Sequence, residues 1–296
     1  MLSSLVRKKL AHGEIVLCAK ASYDDPEVVE LMGTFGFDGI WICQEHRRAD
    51  PRSLQGLING CRLAGMDAIV RIKPSNYTDL IWLLEAGARG IMLPKVSHPD
   101  EVRECLAAMK FPPAGQRGLD GVHADANFGR TPAAEYLRRA NDENFLVVQI
   151  EEPAVVPYID EIAALPGVDV LFVGPGDLTL SLGKLGQTED PEVVSILRQV
   201  AAACRKHGKA AGIPCQPAEV PRYRDLGYTF FNVVSSYRCL LHGLQKVEAD
   251  LRVDGLTLRP RQDSRVDHSV GMATANGTGD APALSPPRNS QRVAGV

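Results

Sequence analysis

Two carboxylates, Glu151 and Asp177, are the residues of this 296-residue chain whose placing first suggests chemistry. Glu151 closes the apolar run FLVVQI, and Asp177 follows VDVLFVGPG. Each therefore stands just past a stretch that reads as a buried strand. Two carboxylates on one rim, without a histidine or thiolate partner, suit a hard cation such as Mg2+ or Mn2+ that keeps water sites open for substrate. The alternative is a solvated Glu151 and an Asp177 that caps a helix starting near Leu178. Arg71 lies in the otherwise apolar IVRIKPS. A guanidinium there must reach a polar mouth or pair with a carboxylate, because unpaired burial is costly. In a mouth it would neutralise a developing oxyanion; the alternative is a structural ion pair.

Other strand ends offer fewer candidates. His46, the one histidine at such a position, has the titration range for general acid–base work, or is a surface residue. Gln149 precedes Glu151 on the same strand. Gly174-Pro175-Gly176 lets main-chain N–H groups approach a small anion, but it is not G-x-G-x-x-G, so dinucleotide binding is set aside. Lys95 raises a rival chemistry, a Schiff base with a carbonyl substrate, against a plain loop lysine. Cys43 and Cys215 also fall at strand ends. Trp41 and Trp82 read as packing residues.

The elements that must position these groups alternate in a regular way. Near-continuous apolar runs, as expected of parallel strands covered on both faces, occur at 15–20, 39–43, 68–72, 90–94, 145–151, 168–173, 210–214 and 230–234. Helical patterns fill the gaps at 26–35, 51–64, 77–85, 99–109, 155–164, 191–207, 218–226 and 237–251. Asp25-Pro26, Asp50-Pro51 and Asp190-Pro191 each put a capping oxygen before a proline whose missing N–H costs nothing in a first turn. Eight strands alternating with eight helices predict a (β/α)8 TIM barrel over residues 1–254, with its site at the carboxyl ends of the strands. One connection, 111–144, is long and glycine-rich, with an extra helix expected at 132–140; it is expected over or beside the mouth. From 255 to 296 the composition turns to Gly, Pro, Ser, Thr and Arg, which predicts a disordered tail.

Composition narrows the function classes. A net charge of -3 with scattered Lys and Arg excludes the clustered basic face of a nucleic-acid binder. Seven cysteines without a C-x-x-C pair indicate neither a disulfide framework nor a zinc ribbon. No run approaches the ~20 apolar residues of a membrane span, and no signal-peptide core follows Met1, so a cytoplasmic protein is expected.

The segments FGFDGIWICQEHR, AIVRIKPSN, GARGIMLPKVSHPDEV, PPAGQRG, VVQIEEPAVV and GVDVLFVGPGDLTLSLG resemble, in this order and spacing, the metal-dependent pyruvate aldolases of the HpcH/HpaI (4-hydroxy-2-oxoheptanedioate aldolase) family. The resemblance covers roughly residues 5–250. It implies a divalent metal (Mg2+, Mn2+ or Co2+) on Glu151 and Asp177, and Arg71 on the keto oxygen of a 2-oxo acid. It further implies His46 as base, Gln149 lining the metal site, and the N–H groups of Gly176 and Asp177 on the substrate carboxylate. An aldehyde is the implied partner substrate, and a homo-hexamer exchanging its last helix the implied assembly. This chain departs from the pattern at Cys43-Gln44, where Asp-Gly is usual and the aspartate supports the histidine. A thiol is a poor substitute for a carboxylate that orients an imidazole. Gly176 replaces a common alanine, and Lys95 stands where Met or Leu is commoner. Two alternatives stay open: an acyl-CoA lyase, for which Arg117 and Arg130 are the available cations, and a barrel that binds a 2-oxo acid without turnover.

Overall fold

The computed structural model describes residues 3–253 and 255–258. Eight parallel strands close in sequence order: β1 (Val16–Ala21), β2 (Gly39–Cys43), β3 (Asp67–Arg71), β4 (Gly90–Leu93), β5 (Phe145–Ile150), β6 (Val168–Val173), β7 (Ala210–Pro214) and β8 (Tyr228–Ser235). The ring is completed by β8 pairing with β1, Val16 against Phe230. Around it lie α1 (Leu5–Ala11), α2 (Pro26–Thr34), α3 (Pro51–Leu63), α4 (Tyr77–Ala86), α5 (Pro99–Met109), α6 (Ala133–Glu143), α7 (Ile159–Ala164), α8 (Pro175–Ser181), α9 (Pro191–His207), α10 (Val220–Leu226) and α11 (Ser236–Val253). The expected (β/α)8 barrel is present. The expected caps are too: Asp25, Asp50 and Asp190 each accept a first-turn N–H before their proline.

Strand parity sorts the side chains. One set, including Cys18, Trp41, Ile69, Met92, Val147, Val170, Phe172 and Phe230, fills the inside of the cylinder. The other set meets the helices in the larger outer core. Inside, Phe172 packs edge-to-face on Trp41 and on Phe230, with ring centroids 5.9 Å apart in each case. Aromatics of this size fit because small residues face them. A β-carbon at Gly90 would come within 2.6 Å of the Phe145 ring.

Three expectations need correction. The short helix α1 lies outside the predicted helices; it plugs the amino end of the barrel, with Val6 fully buried among the inner side chains. Asp67, at the start of β3, holds it there by accepting from Ser4 Oγ (2.6 Å) and from the Val6 N–H (2.9 Å). The segment after β5 begins as a 3-10 turn, Pro153–Tyr158, because Pro157 interrupts the pattern; α7 proper starts at Ile159.

The long connection is the third. Within this chain it does not cover the mouth, because Asp125 forms a buried ion pair with Arg89 (2.6 Å). Arg89 immediately precedes β4, at the amino end of the barrel. Phe111, Ala126, Tyr136 and Ala140 form a separate small core beneath the connection. The helix in it, α6, ends three residues later than expected. The tail expected from 255 onward lies, from residue 259, outside the described residues. No helix among the described residues is long and apolar enough to cross a membrane.

Candidate active site at the carboxyl ends of the strands

Glu151 follows the last residue of β5, and Asp177 lies in the first turn of α8, just past β6. Because β5 and β6 are neighbours, both carboxylates emerge on one rim. Lys95 spans the distance between them. Its main-chain N–H donates to Glu151 Oε1 (2.8 Å), while its ammonium lies 3.2 Å from Asp177 Oδ1 and 2.9 Å from Glu152 Oε1. Lys95 holds this pose in the left-handed region, φ 52°. The structure therefore brings Glu151 and Asp177 together, as the sequence pattern predicts.

Glu151 is the more unusual of the two. It is 0% exposed, and its Oε2 has no hydrogen-bond partner. Burial pushes its carboxyl above the ordinary value; the Lys95 N–H opposes that shift, and the negative charge of Asp177 adds to it. Gly174 makes the arrangement possible, since a β-carbon there would come within 2.6 Å of Oε2. A buried carboxylate oxygen without a partner is costly and is expected to have a cation nearby. The donor set fits a hard divalent ion held by two carboxylates with the remaining positions open. No group of three or more His, Cys, Asp or Glu able to hold a metal occurs among the described residues. A closed structural site, with all ligands from this chain's side chains, is not what the geometry offers.

Arg71, the last residue of β3, is 3% exposed and points into the mouth. Its Nη1 donates to Gln149 Oε1 (3.3 Å) and its Nη2 to Cys43 Sγ (2.9 Å). Nη1 also lies 3.1 Å from Glu45 Oε2, an ion pair by distance although its angles miss those of a hydrogen bond. The guanidinium stacks 4.7 Å from the centroid of Trp41. Gln149, 1% exposed, thus links Arg71 to the neighbourhood of Gly174 and Glu151.

Cys43 serves Arg71 rather than the histidine ring. Its sulfur accepts from Arg71 and from the main-chain N–H of His46 (3.4 Å). Burial alone would raise the thiol, but these hydrogen bonds and the charges of Arg71 and Lys20 outweigh it, leaving the pKa below the ordinary thiol value. The guanidinium thus eases ionisation of the sulfur it faces. The imidazole of His46 is 58% exposed, and its nearest acidic partner is Glu45, 3.9 Å from Nε2. His46 is at the mouth, as expected, but it is not tied to a partner at hydrogen-bond distance. Gly176 borders open space, and the first-turn N–H groups of α8 lack helical acceptors.

Lys95 does not suit Schiff-base chemistry. Burial acts to lower its ammonium, but hydrogen bonds to Glu152 and Asp177 prevail and raise it above the ordinary lysine value. A nucleophilic lysine needs the opposite shift. Of the two arginines considered for coenzyme A, Arg117 is misplaced. Arg117 is 3% exposed, lies 4.5 Å over Phe111 and donates to Tyr136, away from the mouth. Arg130 lies on the same connection and is exposed.

Two residues at the mouth carry little signal in the strand-end pattern. Glu45 is one of several polar residues that follow β2. Lys20 lies within the β1 run, yet it shares the inward parity of Val16 and Cys18, and that alternation is the signal. Its ammonium sits 4.5 Å over the Trp41 ring, so this tryptophan is more than a packing residue.

A closed parallel barrel with its buried polar groups gathered at the carboxyl ends of the strands has the build of a (β/α)8 enzyme. The sequence profile of the HpcH/HpaI aldolase/citrate lyase family matches residues 22–242. Among curated relatives, a hydroxypyruvate/pyruvate aldolase of Roseovarius nubinhibens is 33% identical over 250 residues, 84% of this chain and 96% of that protein. A 5-keto-4-deoxy-D-glucarate aldolase of Klebsiella pneumoniae is 32% identical over 232 residues, 78% of this chain and 88% of that protein. Among solved structures, an HpcH/HpaI aldolase from Desulfitobacterium hafniense superimposes with a TM-score of 0.79 at 29% identity, covering 86% of this chain and 99% of that one. The chain belongs to the HpcH/HpaI aldolase/citrate lyase family, and the curated relatives just named are aldolases.

Proposed function

We propose that this protein is a divalent-metal-dependent aldolase that makes and breaks the C3–C4 bond of 4-hydroxy-2-oxo acids, releasing pyruvate or a close analogue and an aldehyde. One observation carries the reading: the unpartnered, fully buried Glu151 Oε2 on the rim it shares with Asp177. Mg2+, Mn2+ or Co2+ held by Glu151 and Asp177 would supply Lewis acidity to the keto oxygen of the 2-oxo acid. The chain's own groups do the rest. The N–H groups of Gly176 and Asp177 receive the substrate carboxylate. Arg71, fixed by Cys43, Gln149 and Glu45, offers its fork to the oxygen that becomes negative in the enolate.

In the cleavage direction a base takes the proton of the 4-hydroxyl, the C3–C4 bond breaks, and the electron pair moves to the enolate. Protonation at C3 then gives pyruvate. His46 is the group at the mouth suited to move that proton. Its loose tether to Glu45 predicts that it contributes less than Arg71. The buried place of Arg117 supports an aldolase over an acyl-CoA lyase.

Solvent exchange of the pyruvate methyl protons, followed by NMR in D2O, tests the reading. Exchange that needs added Mn2+ or Mg2+ and stops with chelator is expected. No exchange at saturating metal and pyruvate would identify a barrel that binds without turnover. Lys95 gives a second check, because its ammonium lies against Asp177 where the cation is proposed to bind. The pair is about one-third exposed, and such pairs contribute at most about 1 kcal/mol. Lys95→Met is accordingly expected to tighten Mn2+ binding by about two- to fivefold in titration calorimetry. Weaker binding would show that the ammonium supports the metal instead of competing with it.

We also propose a cytoplasmic homo-oligomer, a hexamer by likeness to the family. On α11 the exposed Tyr237, Leu240, Leu244 and Val247 recur at helical spacing, a stripe that a second copy would cover.

A further inference from the structure

Two protons must move when the C3–C4 bond of a 4-hydroxy-2-oxo acid breaks. One leaves the 4-hydroxyl as the bond goes, and one arrives at C3 afterwards. His46 can serve one of them, on an exposed ring 3.9 Å from Glu45. A second titratable side chain stands in the mouth without a role. Lys20, in β1, points inward with Val16 and Cys18 and is half-buried. It lines a cleft of about 430 Å3 that begins at Pro175, the first residue of α8.

Nothing holds this amine. Among the described residues no hydrogen bond or ion pair reaches the Lys20 ammonium, whose contact is the Trp41 ring, 4.5 Å to the centroid. The Arg71 guanidinium lies 4.7 Å from the centroid of the same ring. One indole therefore carries both cations, and Lys20 stands beside the group proposed to meet the keto oxygen. C4 is two bonds beyond the keto carbon, close enough for a neighbour of Arg71 to serve it. Register puts Ser235 of β8 on the other side of Lys20. The charged and titratable groups facing the amine are Cys43 of β2, Arg71 of β3, and Arg47 and Glu45 just past β2; Arg238 and Glu219 stand farther along the cleft. Burial lowers its pKa; Arg71 and Arg47 add to that effect, while Cys43 and Glu45 oppose it. Lys95, tied to Glu152 and Asp177, is shifted the opposite way.

We propose that Lys20 is a second proton-transfer residue of the mouth: as a free amine it takes the proton of the 4-hydroxyl, leaving His46 to serve C3. The O–H electron pair becomes the second bond of the aldehyde carbonyl, and the C3–C4 pair passes into the enolate. Lys20 is left as an ammonium over Trp41, whose ring face stabilises it. In the condensation direction that ammonium returns its proton to the alkoxide. The assignment rests on the aldolase reading and adds a residue to it.

Two assays separate the two protons. Solvent exchange of the pyruvate methyl group needs no hydroxyl proton, whereas cleavage of 4-hydroxy-2-oxopentanoate, read as pyruvate released, does. With Mn2+ present, Lys20→Met is expected to lower kcat for cleavage by at least about 100-fold with little change in KM. Pyruvate exchange in that variant should stay within about threefold of wild type, which also shows that it folds. Lys20→Arg should be as slow as Lys20→Met, because a guanidinium keeps the charge but cannot act as a base. Added ethylamine should restore part of the rate to Lys20→Met. Wild-type kcat for cleavage should rise with pH through an ionisation below the ordinary lysine value, and Lys20→Met should lack that limb.

Cleavage at the wild-type rate in Lys20→Met, or its recovery in Lys20→Arg, overturns the proposal. So does borohydride trapping of pyruvate on Lys20, which would make it a nucleophile. Equal losses of cleavage and exchange would mark Lys20 as structural and overturn it as well. A wild-type protein that gives neither exchange nor cleavage at saturating metal sinks the aldolase reading and the task of Lys20 with it. Wild-type exchange, with cleavage indifferent to Lys20→Met, sinks the assignment of Lys20 alone.

Discussion

Replacing Glu151 with Gln, or Asp177 with Asn, should lower Mn2+ affinity at least about 100-fold, because loss of outer partners alone costs 10–100-fold and these are the proposed ligands themselves. Metal-dependent exchange of pyruvate protons should fall with it, to background at metal concentrations that saturate the wild type. The two substitutions differ in what they do to the metal-free fold. Glu151 is fully buried with one oxygen unpartnered, so its charge is a cost in the absence of a cation. Glu151→Gln keeps the oxygen that accepts the Lys95 N–H and removes that charge. It should stabilise the metal-free protein by about 1 kcal/mol, or 2–4 °C in melting temperature. Asp177, about one-third exposed, should leave the melting temperature nearly unchanged when made Asn. Higher apo stability with lost metal binding is the signature of a charge kept for function. A large destabilisation in Glu151→Gln would instead mark Glu151 as a structural residue.

Arg71 should show the largest effect on the chemical step. Removing a preorganised donor to a developing oxyanion costs about 10²–10³ in kcat, so Arg71→Lys is expected to slow pyruvate exchange by about 100-fold while Mn2+ affinity stays within threefold. Lysine keeps the charge but not the fork that spans Cys43 and Gln149. Arg71→Ala should do worse in both activity and stability. It strands Glu45 Oε2 and the Cys43 sulfur without the cation that now faces them. Comparing the two variants separates geometry from charge. Wild-type exchange in Arg71→Lys would show that any cation suffices at this position, and the argument from the fork would fail.

The sequence pattern carries the barrel because its strands are buried on both faces and read as near-continuous apolar runs, VVQI and VDVLFV among them. It carries Glu151, Asp177, Gln149 and Arg71 for a related reason: a charged or amide group at the end of such a run has few places to go but the mouth. What it does not carry depends on partners distant in sequence. The long connection turns to the amino end because Asp125 meets Arg89, a pairing no local pattern announces. Helix α1 is held by Asp67, 61 positions away from Val6. Lys95 is a plausible nucleophile in isolation and a paired ammonium once Glu152 and Asp177 flank it.

The substitution of Cys43 for the usual aspartate shows the same limit. Read along the chain, it leaves His46 without its supporting carboxylate. In space the sulfur lies against the arginine, and the histidine ring stands apart, 58% exposed. The sulfur accepts from Arg71, and the acidic group nearest the imidazole is Glu45, 3.9 Å away. Lys20 is the converse case: its parity with Val16 and Cys18 was legible, but the consequence appears only when β1 is seen to close the ring against β8.

The most direct measurement is a crystal structure of the full chain grown with MnCl2 and pyruvate, with the metal located by its anomalous signal. One peak in contact with carboxylate oxygens of both Glu151 and Asp177, with pyruvate between it and Arg71, is the predicted result. A peak elsewhere, or pyruvate joined covalently to a lysine with both carboxylates free, would contradict the account at its centre.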